Sequence, residues 1–352
     1  MDQQSYRKLI SGQNRSLPAV TAYVFLSLLS RLYQIGINIR NFLYTKGWLK
    51  TGSVNATVIC IGNITTGGTG KTPLVIWLCR FLRKQNLRTA ILTRGYKTGR
   101  GKLSDEPAIL IKNCPDTRVI VNPDRIAGAR KAVTQFDAQV IILDDGFQHR
   151  RLKRDLDIVT IDATCPFGYG RLLPAGLLRE PVRALKRAQA AVITKCDDTQ
   201  ENEIQRIENK IRDINPDIVI AKSIHKPVCA RTRKAGVIKL EQLKNKKVLA
   251  FCGIARPQAF FKTIGDLGVK LVEKKAFNDH YQYTNENLNS IYQLAGSCGA
   301  EMILTTEKDW NKTALLIPQK DITFAFLAIE LQIYQGMEKL NRLLKESLPV
   351  RM

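Results

Sequence analysis

The chain has 352 residues, 44% of them hydrophobic, and a formal net charge of +24 at pH 7. Its length indicates two domains with sizeable cores. Eight scattered cysteines without a C-x-x-C pair and only three histidines argue against a disulfide scaffold and a structural zinc site, and indicate reduced cytosolic thiols. The charge predicts acidic partners: a nucleotide, a phosphorylated substrate, an anionic membrane or a nucleic acid.

Residues 1–50 form a segment of their own, with seven Lys/Arg and one acid, Asp2. Uncharged runs at 16–30 and 32–39 are separated by Arg31. The first run is shorter than the roughly 20 residues that a membrane span needs, and no cleavage site of a signal peptide is evident. We therefore predict a helix lying in the interface of an anionic membrane. A helix packed on the protein's own core and a true span remain alternatives.

A glycine-rich loop follows the first apolar strand-like run and precedes a helical run. Its residues are Thr65, Thr66, Gly67, Gly68, Thr69, Gly70, Lys71 and Thr72. Strand, glycine-rich turn, Lys-Thr and helix form the phosphate-loop arrangement, although Thr65 replaces the usual first glycine. We expect Lys71 to reach the β- and γ-phosphates of a nucleotide and the Thr72 hydroxyl to bind Mg²⁺. A turn before a surface helix is the alternative.

Strands and helices alternate from residue 57 onward. Strands are predicted at 57–61, 89–93, 118–122, 139–143, 157–161, 191–194 and 217–221, and helices at 73–84, 124–135, 181–188 and 200–213. Continuous apolar strands alternating with helices predict an α/β fold with a mainly parallel sheet covered on both faces. Ligands then bind at the carboxyl ends of the strands.

A second, smaller α/β domain is predicted at 247–352, separated from the phosphate-loop core (51–222) by a basic, poorly periodic linker at 223–246. Its strands are predicted at 247–252, 269–272, 302–305 and 322–329, and its helices at 258–267, 285–297 and 336–348.

Several polar positions follow predicted strands. Asp144 and Asp145 end an apolar strand and match the acidic strand that serves Mg²⁺ in phosphate-loop enzymes, with a turn acid as the alternative. Gln148 and His149 come next and look like substrate-handling groups. Asp105 precedes Glu-Pro, and its spacing alone favours a helix cap. Asp124 also suits a cap, and Arg125 either points at a phosphate or is a solvated base.

Two further loops carry candidate residues. The glycine-rich loop 168–181 holds two arginines, Arg171 and Arg179, which suit an anionic or sugar substrate. Residues 194–197 imitate the guanine-recognition T-K-x-D, a weak signal. The other GTPase mark, D-x-x-G, is absent because Leu143 occupies its Asp position.

Eight segments in this order carry a closer resemblance: GNITTGGTGKTP (62–73), TRGY (93–96), SDEP (104–107), DR (124–125), LDDGFQH (143–149), GRLLPAGLLREP (170–181), NDHY (278–281) and TTEKDW (305–310). The chain resembles the tetraacyldisaccharide 4′-kinase family, the lipid A 4′-kinases of Gram-negative bacteria, over roughly residues 15–345. This family commonly lacks the first glycine of the phosphate loop, which accounts for Thr65.

The resemblance implies phosphorylation, by ATP and Mg²⁺, of the 4′-hydroxyl of an acylated glucosamine disaccharide 1-phosphate, which gives lipid IVA in lipid A biosynthesis. It implies a phosphate-loop core, a smaller C-terminal domain on a hinge, and peripheral attachment to the cytoplasmic face of the inner membrane. We expect a monomer that does not bind nucleic acid.

The resemblance also implies roles for individual residues. Asp105 becomes the expected general base, paired with His280 by closure of the second domain, which overturns the helix-cap interpretation. Asp144 and Asp145 are expected to serve Mg²⁺ and catalysis. The expected phosphate- and sugar-orienting residues are Arg125, Gln148, His149 and Arg171, and the expected metal-site residues are Thr72, Asp145 and Glu180.

Two rival functions remain at this point. A phosphate-loop GTPase or ATPase would use hydrolysis as a switch, and its turnover would not need a lipid acceptor. A nucleic-acid-binding module would explain the charge, but the sequence has no recognition motif combining aromatic and basic residues.

Overall fold

The computed structural model of the protein describes residues 3–14, 16–95, 105–233, 236–254, 256–279, 281–314, 316–317 and 322–349, without the side chains of 3, 4, 105 and 106. The chain forms two compact units. The first comprises Met1–Ile224 and Leu331–Met352, and the second comprises His225–Glu330.

The first unit begins with two helices and continues as strands that alternate with helices. Its elements are α1 (Gln3–Ile10), α2 (Leu17–Thr45), β1 (Thr57–Asn63), α3 (Lys71–Lys84), β2 (Thr89–Thr93), α4 (Asp105–Asn113), β3 (Arg118–Val121), α5 (Arg125–Phe136), β4 (Val140–Asp144), β5 (Leu156–Asp162), β6 (Ala190–Thr194), α6 (Glu201–Ile214) and the first part of β7 (Val219–Thr232). The strand order is β3–β2–β4–β1–β5–β6–β7, and these neighbours are parallel.

The central strands of this sheet are buried on both faces. In β1, Val58 and Cys60 belong to one apolar cluster, and Ile59 and Ile61 belong to the cluster on the opposite face. Successive side chains of a strand point to opposite faces, so a continuous apolar run is what burial on both faces requires. Helix α5 packs into the first cluster and α3 into the second. The predicted parallel sheet, covered on both faces, is confirmed.

The second unit contains a smaller parallel sheet. Its elements are β8 (Val237–Lys239), β9 (Lys247–Cys252), α7 (Pro257–Asp266), β10 (Lys270–Ala276), α8 (Asn285–Ser297), β11 (Met302–Thr306), α9 (Glu307–Thr313) and most of β12 (Thr323–Gln335). The order is β10–β9–β11–β12 with parallel neighbours, while β8 pairs antiparallel with β7. Strand β12 ends in the first unit, where α10 (Met337–Ser347) follows.

Three segments differ from their predictions. Segment 223–246, predicted as a linker, holds the second part of β7, β8 and a 3₁₀ turn at Leu240–Leu243; its exposed basic residues leave no continuous apolar run to signal a strand. The predicted helix at 181–188 is a 3₁₀ turn at Val182–Arg187. Helix α10 belongs to the first unit because its apolar face, with Leu340 and Leu344, is buried in the same cluster as α3.

Helix α2 continues through Arg31 without a break, because one charged residue does not interrupt the helical backbone. It has 29 residues, about 44 Å at the usual rise per residue, and is long and apolar enough to cross a membrane by length and composition. Only Ala19, Ser30 and Ile37 of its residues are buried. Many of its large apolar side chains, from Leu17 to Phe42, are exposed by 38–82%.

Candidate active site

The phosphate loop connects the end of β1 to the start of α3. Gly70 caps α3 in the left-handed conformation, with φ of 82°, and Gly67 has φ of 106°. Glycine adopts such angles without a Cβ clash, so the sharp turn into the helix requires it here. Lys71 and Thr72 open α3. The first N–H groups of a helix lack intrahelical partners and bind phosphate readily.

The rest of the loop is anchored to the sheet at its edges. Thr65 is buried, and the backbone N–H of Thr66 donates to the carbonyl oxygen of Leu177 at 2.8 Å. The hydroxyl of Thr69 accepts from the Asn63 amide at 3.0 Å and lies 2.8 Å from the Thr160 hydroxyl. Between these anchors the two glycines at 67 and 68 are exposed, so the loop is held in place and open to solvent.

A cluster of three charges lies at the end of β4, beside the phosphate loop. Lys71 Nζ is 3.3 Å from Asp145 Oδ1, and Arg179 Nη1 donates to both oxygens of Asp145 at 3.0 Å. Strands β1 and β4 are parallel neighbours, so the residue after β4 meets the first residue of α3. The sequence predicts Lys71 and Asp145 here but does not single out Arg179.

The Asp145 carboxylate is ionised and of the type that binds a hard cation. Burial raises the pKa of Asp145, but Lys71 and Arg179 outweigh burial and the net shift is downward. No group of three or more His, Cys, Asp or Glu that could hold a metal ion occurs in the described part of the chain. Mg²⁺ nevertheless needs only one or two protein carboxylates beside phosphate and water oxygens. Asp145, whose side chain is 22% exposed, therefore supplies the type of ligand that Mg²⁺ uses, and Thr72 is the second residue of α3, next to Lys71.

Asp144 and Arg125 lie deeper than Asp145. Both are buried, at 2% exposure. Arg125 Nη1 donates to the carbonyl oxygen of Asn122 at 2.7 Å, and Nη2 contacts that of Asp144 at 3.5 Å. Burial lowers the pKa of Arg125, and the carboxylates of Asp144 and Asp145 offset this only in part. Its Nε has no partner among the residues that the structure describes, so the guanidinium retains a donor.

Gln148 and His149 follow the same strand end. The Gln148 amide donates to the carbonyl oxygen of Asn63 at 2.8 Å, which fixes it to the start of the phosphate loop. Burial, followed by the positive charges of Arg125 and Arg154, lowers the pKa of His149 to about 4. The imidazole is therefore neutral at physiological pH, and it offers one N–H donor and one acceptor.

The structure gives Glu180 a different place from the predicted one. Its carboxylate is fully buried, with one oxygen 2.8 Å from Arg40 Nη2 and the other 2.9 Å from Arg187 Nη2. Both oxygens are thus taken by arginines, because α2 and the turn after Glu180 pack over them. The prediction that Glu180 binds metal is not supported by this geometry. Glu180 instead anchors α2 to the rest of the first unit.

The two arginines of the loop 168–181 are also separated. Arg171, predicted to orient substrate, is exposed and its guanidinium lies 6.0 Å from the ring of Tyr23 on α2. Arg179 is the one that reaches Asp145. Both arginines sit on one glycine-rich loop, so only the packing of that loop distinguishes them; Tyr33 helps by donating its hydroxyl to the carbonyl oxygen of Arg179 at 2.9 Å.

The side chains of the predicted base, Asp105, and of its predicted partner, His280, both lie outside the described residues. Asp105 begins α4, but its side chain lies outside the described residues, as do Tyr96 and Ser104. His280 also lies outside them. Their pairing therefore stays a prediction from the resemblance.

Comparisons with known proteins identify the family of the chain. The family model described as "Tetraacyldisaccharide-1-P 4'-kinase" matches residues 22–349. The chain belongs to the tetraacyldisaccharide 4′-kinase family. A tetraacyldisaccharide 4'-kinase of Elusimicrobium minutum is 39% identical over 82% of this chain and 81% of the relative. That of Halothermothrix orenii is 36% identical over 86% and 85%.

A solved structure of the same family has a similar fold. A crystal structure of LpxK from Aquifex aeolicus in complex with ATP matches with a TM-score of 0.72 and 31% identity, over 93% of this chain and 100% of that one. The family assignment and the α/β fold with a phosphate loop are thereby confirmed. Tetraacyldisaccharide 4′-kinases are phosphotransferases, so membership also confirms that the protein is an enzyme of the kinase class.

Proposed function

We propose that the protein transfers the γ-phosphate of ATP to the 4′-hydroxyl of an acylated glucosamine disaccharide 1-phosphate and so forms lipid IVA in lipid A biosynthesis. Family membership over residues 22–349 supports the reaction. The observation that carries it in this chain is the phosphate loop with Lys71 beside Asp145 and Arg179. A cation-rich site at a helix N-terminus stabilises a polyphosphate and the charge that develops during phosphoryl transfer.

Each residue of this cluster has a proposed role. Lys71 holds the transferred phosphate, and its present pairing with Asp145 is exchanged for phosphate oxygens when ATP binds. Asp145 and Thr72 hold Mg²⁺, which when bound neutralises phosphate charge. Arg179 then loses one partner and is free to bind an anionic group. Asp144 does not bind Mg²⁺ in this proposal and balances the charge of Arg125.

The polar residues beside the cluster orient the reactants. Gln148 is fixed to Asn63 and faces the phosphate loop from the β4 side. Neutral His149 and buried Arg125 supply N–H donors to phosphate or sugar oxygens. The match of SDEP and NDHY to the family pattern supports Asp105 as the general base and His280 as its partner.

We further propose that the protein sits peripherally on the cytoplasmic face of the bacterial inner membrane, bound through α2. Its exposed apolar side chains form a broad face rather than scattered positions, and such patches mark membrane or protein contacts. Arg31, Lys46 and Lys50 are exposed on or beside α2 and are attracted by anionic lipid. The acylated acceptor is itself a membrane component, so the enzyme must meet it there.

The contacts of α2 favour a helix in the membrane plane over a span. Ser30 donates to the carbonyl oxygen of Leu172 at 2.9 Å, Tyr33 to that of Arg179, and Arg40 pairs with Glu180. The side chain of Arg183 donates to Asn38 at 2.6 Å. Ser30, Tyr33 and Arg40 lie on one side of the helix, and a crossing orientation that lifted the helix away from the protein would break their contacts.

The test of the reaction is phosphate transfer from labelled ATP, with and without tetraacyldisaccharide 1-phosphate in detergent micelles. We expect product only with the acceptor, and loss of product in Asp105→Asn while ATP binding is retained. ATP hydrolysis that ignores the acceptor would support a nucleotide switch instead. Acceptor phosphorylation by Asp105→Asn would support the kinase reaction and would contradict the role of Asp105 as its general base. Gel filtration tests the expectation that the enzyme is a monomer. Binding of the enzyme to nucleic acid at physiological salt would contradict the expectation that it does not bind nucleic acid.

A further inference from the structure

The last residue of β6 and the residue after it both contact the phosphate loop. Thr194 Oγ1 donates to the carbonyl oxygen of Thr69 at 2.9 Å, and Lys195 Nζ donates to that of Gly68 at 2.6 Å. These residues begin the T-K-C-D sequence at 194–197, for which the kinase reaction itself supplies no role. Two neighbouring carbonyls of the loop are thus held by two neighbouring side chains.

Lys195 is itself fixed from a second strand. Its ammonium group forms an ion pair with Asp162 at the end of β5, and the two side chains are only 17% and 12% exposed. The other oxygen of Asp162 accepts from the backbone N–H and the hydroxyl of Thr164, at 3.0 and 2.6 Å. Strands β5 and β6 pair Asp162 with Thr194. The ends of two strands therefore converge on the phosphate loop through one lysine.

The backbone at this contact is unusual on both sides. Lys195 has φ of 57°, a left-handed conformation that residues other than glycine seldom adopt. Opposite it, a Cβ on Gly70 would lie 3.1 Å from the Thr194 side chain. The turn and the loop thus approach closely, and a strained residue kept at a functional site is a reason to look for a role.

We propose that Thr194 and Lys195 are positioning residues that clamp the phosphate loop in the shape that receives the nucleotide polyphosphate. A trans peptide places its carbonyl and the following N–H on opposite sides. Binding the Thr69 carbonyl from β6 therefore turns the N–H of Gly70 away from β6, toward the open side of the loop. The ligand is ATP if the proposed function is right, and in that respect the inference rests on it.

The charge of Lys195 serves its ion pair with Asp162 and not a contact to phosphate. Asp162 neutralises it, and the contact to the loop is to a carbonyl oxygen rather than to a phosphate. Loss of the clamp should therefore weaken nucleotide binding to a similar extent at low and high ionic strength, whereas loss of a direct charge contact to phosphate would depend on salt.

The first experiment compares Lys195→Met with the parent by titration of a fluorescent ATP analogue without acceptor, followed by kinetics with acceptor. We expect Kd and the KM for ATP to rise about tenfold, the effect of losing one hydrogen bond from a charged donor. We expect kcat at saturating ATP and the KM for the acceptor to stay within about twofold. Lys186→Met, at an exposed position on the 3₁₀ turn before β6, is the matched control and should match the parent.

The second experiment separates the hydroxyl of Thr194 from its shape. Thr194→Val keeps the shape and removes the donor, whereas Thr194→Ser keeps the donor and removes a methyl group. We expect Thr194→Val to weaken ATP binding about tenfold and Thr194→Ser to leave it near that of the parent. If Thr194→Val does not fold, Lys195→Met still tests the clamp, because it leaves the Thr194 side chain and its hydrogen bond to Thr69 in place.

The outcomes separate this inference from the proposed function. ATP affinity unchanged in Lys195→Met, in a parent that phosphorylates the acceptor, overturns the clamp and leaves the kinase intact. Weaker binding that disappears at high salt also overturns the clamp in favour of a direct phosphate contact. A parent that binds ATP, is weakened by Lys195→Met and transfers nothing to the acceptor overturns the kinase proposal and keeps the clamp.

Discussion

Arg179 and Glu180 are adjacent in sequence but belong to two charge clusters with different properties. Arg179 joins Lys71 around Asp145, where the side chains are 12–23% exposed. Glu180 joins Arg40 and Arg187, and its own side chain is 0% exposed. The first cluster lies beside an open phosphate loop. The second lies under α2.

This difference in burial fits a ligand-binding role for the Asp145 cluster and a structural role for the Glu180 cluster. Partly exposed ions can exchange one partner for another, because water and ligand oxygens replace the lost contact. A fully buried carboxylate cannot release its arginines without a large desolvation cost. The loop 168–181 thus connects α2 to the phosphate site through two consecutive residues, of which Glu180 pairs with Arg40 of α2 and Arg179 pairs with Asp145.

The largest expected effect is on the buried cluster. Glu180→Ala leaves Arg40 and Arg187 without their counter-ion, so we expect a loss of about 3–5 kcal/mol in the free energy of unfolding. Urea unfolding of the variant measures it. Glu203→Ala removes an acid from an exposed pair with Arg206 and should cost less than about 1 kcal/mol. Equal losses in the two variants would show that Glu180 is not an anchor.

The next effect is on the phosphate cluster. Lys71→Met removes the charge and keeps the length of the side chain, so we expect kcat to fall on the order of 10²–10³-fold with little change in the melting temperature. The control is Lys84→Met, at the exposed end of the same helix. A parental kcat in Lys71→Met would contradict the proposal that the phosphate loop takes part in phosphate transfer.

A smaller effect is expected on the outer face of α2. Leu28→Glu places a charge on the exposed apolar face, and binding to anionic vesicles should weaken about tenfold or more, since burying a leucine side chain stabilises by about 1.5–3 kcal/mol. Vesicle co-sedimentation measures this. Gln34→Glu adds the same charge at an exposed polar position of the helix and should bind more tightly than Leu28→Glu. Parental vesicle binding by Leu28→Glu would contradict the membrane-facing role.

The smallest effect is on pH dependence. The pKa of His149 is about 4 in the folded protein, against about 6.5 in an unfolded chain. Between these values the unfolded chain binds the proton and the folded protein does not. The stability that neutral His149 contributes is therefore complete above about pH 6.5 and is lost as the pH falls toward 4. The melting temperature of the parent should fall relative to that of His149→Gln as the pH falls through this range; a difference that does not change with pH would show that the pKa of His149 is not lowered.

The sequence predicts most of the regular elements because burial on both faces leaves continuous apolar strands. Strand β2 has the predicted limits, and α8 does as well. The sequence does not predict the second half of β7, because its exposed basic residues leave no apolar run. The amphipathic pattern of α10 predicts that one face is buried but not which residues it packs against, so its place in the first unit cannot be read from the sequence.

The same limit applies to the site. The pairing of Lys71 with Asp145 could be predicted, since a glycine-rich loop and an acid each end a strand of a parallel sheet. The choice of Arg179 over Arg171, and the anchoring of Glu180, could not, because residues on one loop share the same local signal. Their roles follow from contacts with α2, which lies far away in the sequence.

The most direct test is a side-by-side measurement of Asp145→Asn and Glu180→Gln, recording kcat for acceptor phosphorylation and the melting temperature of each. The comparison of the two clusters predicts that Asp145→Asn loses most of its kcat and keeps its melting temperature. It predicts that Glu180→Gln melts at a lower temperature and keeps most of its kcat while folded. The reverse pattern, with a stable but inactive Glu180→Gln and an active Asp145→Asn, would contradict the assignment of the two clusters.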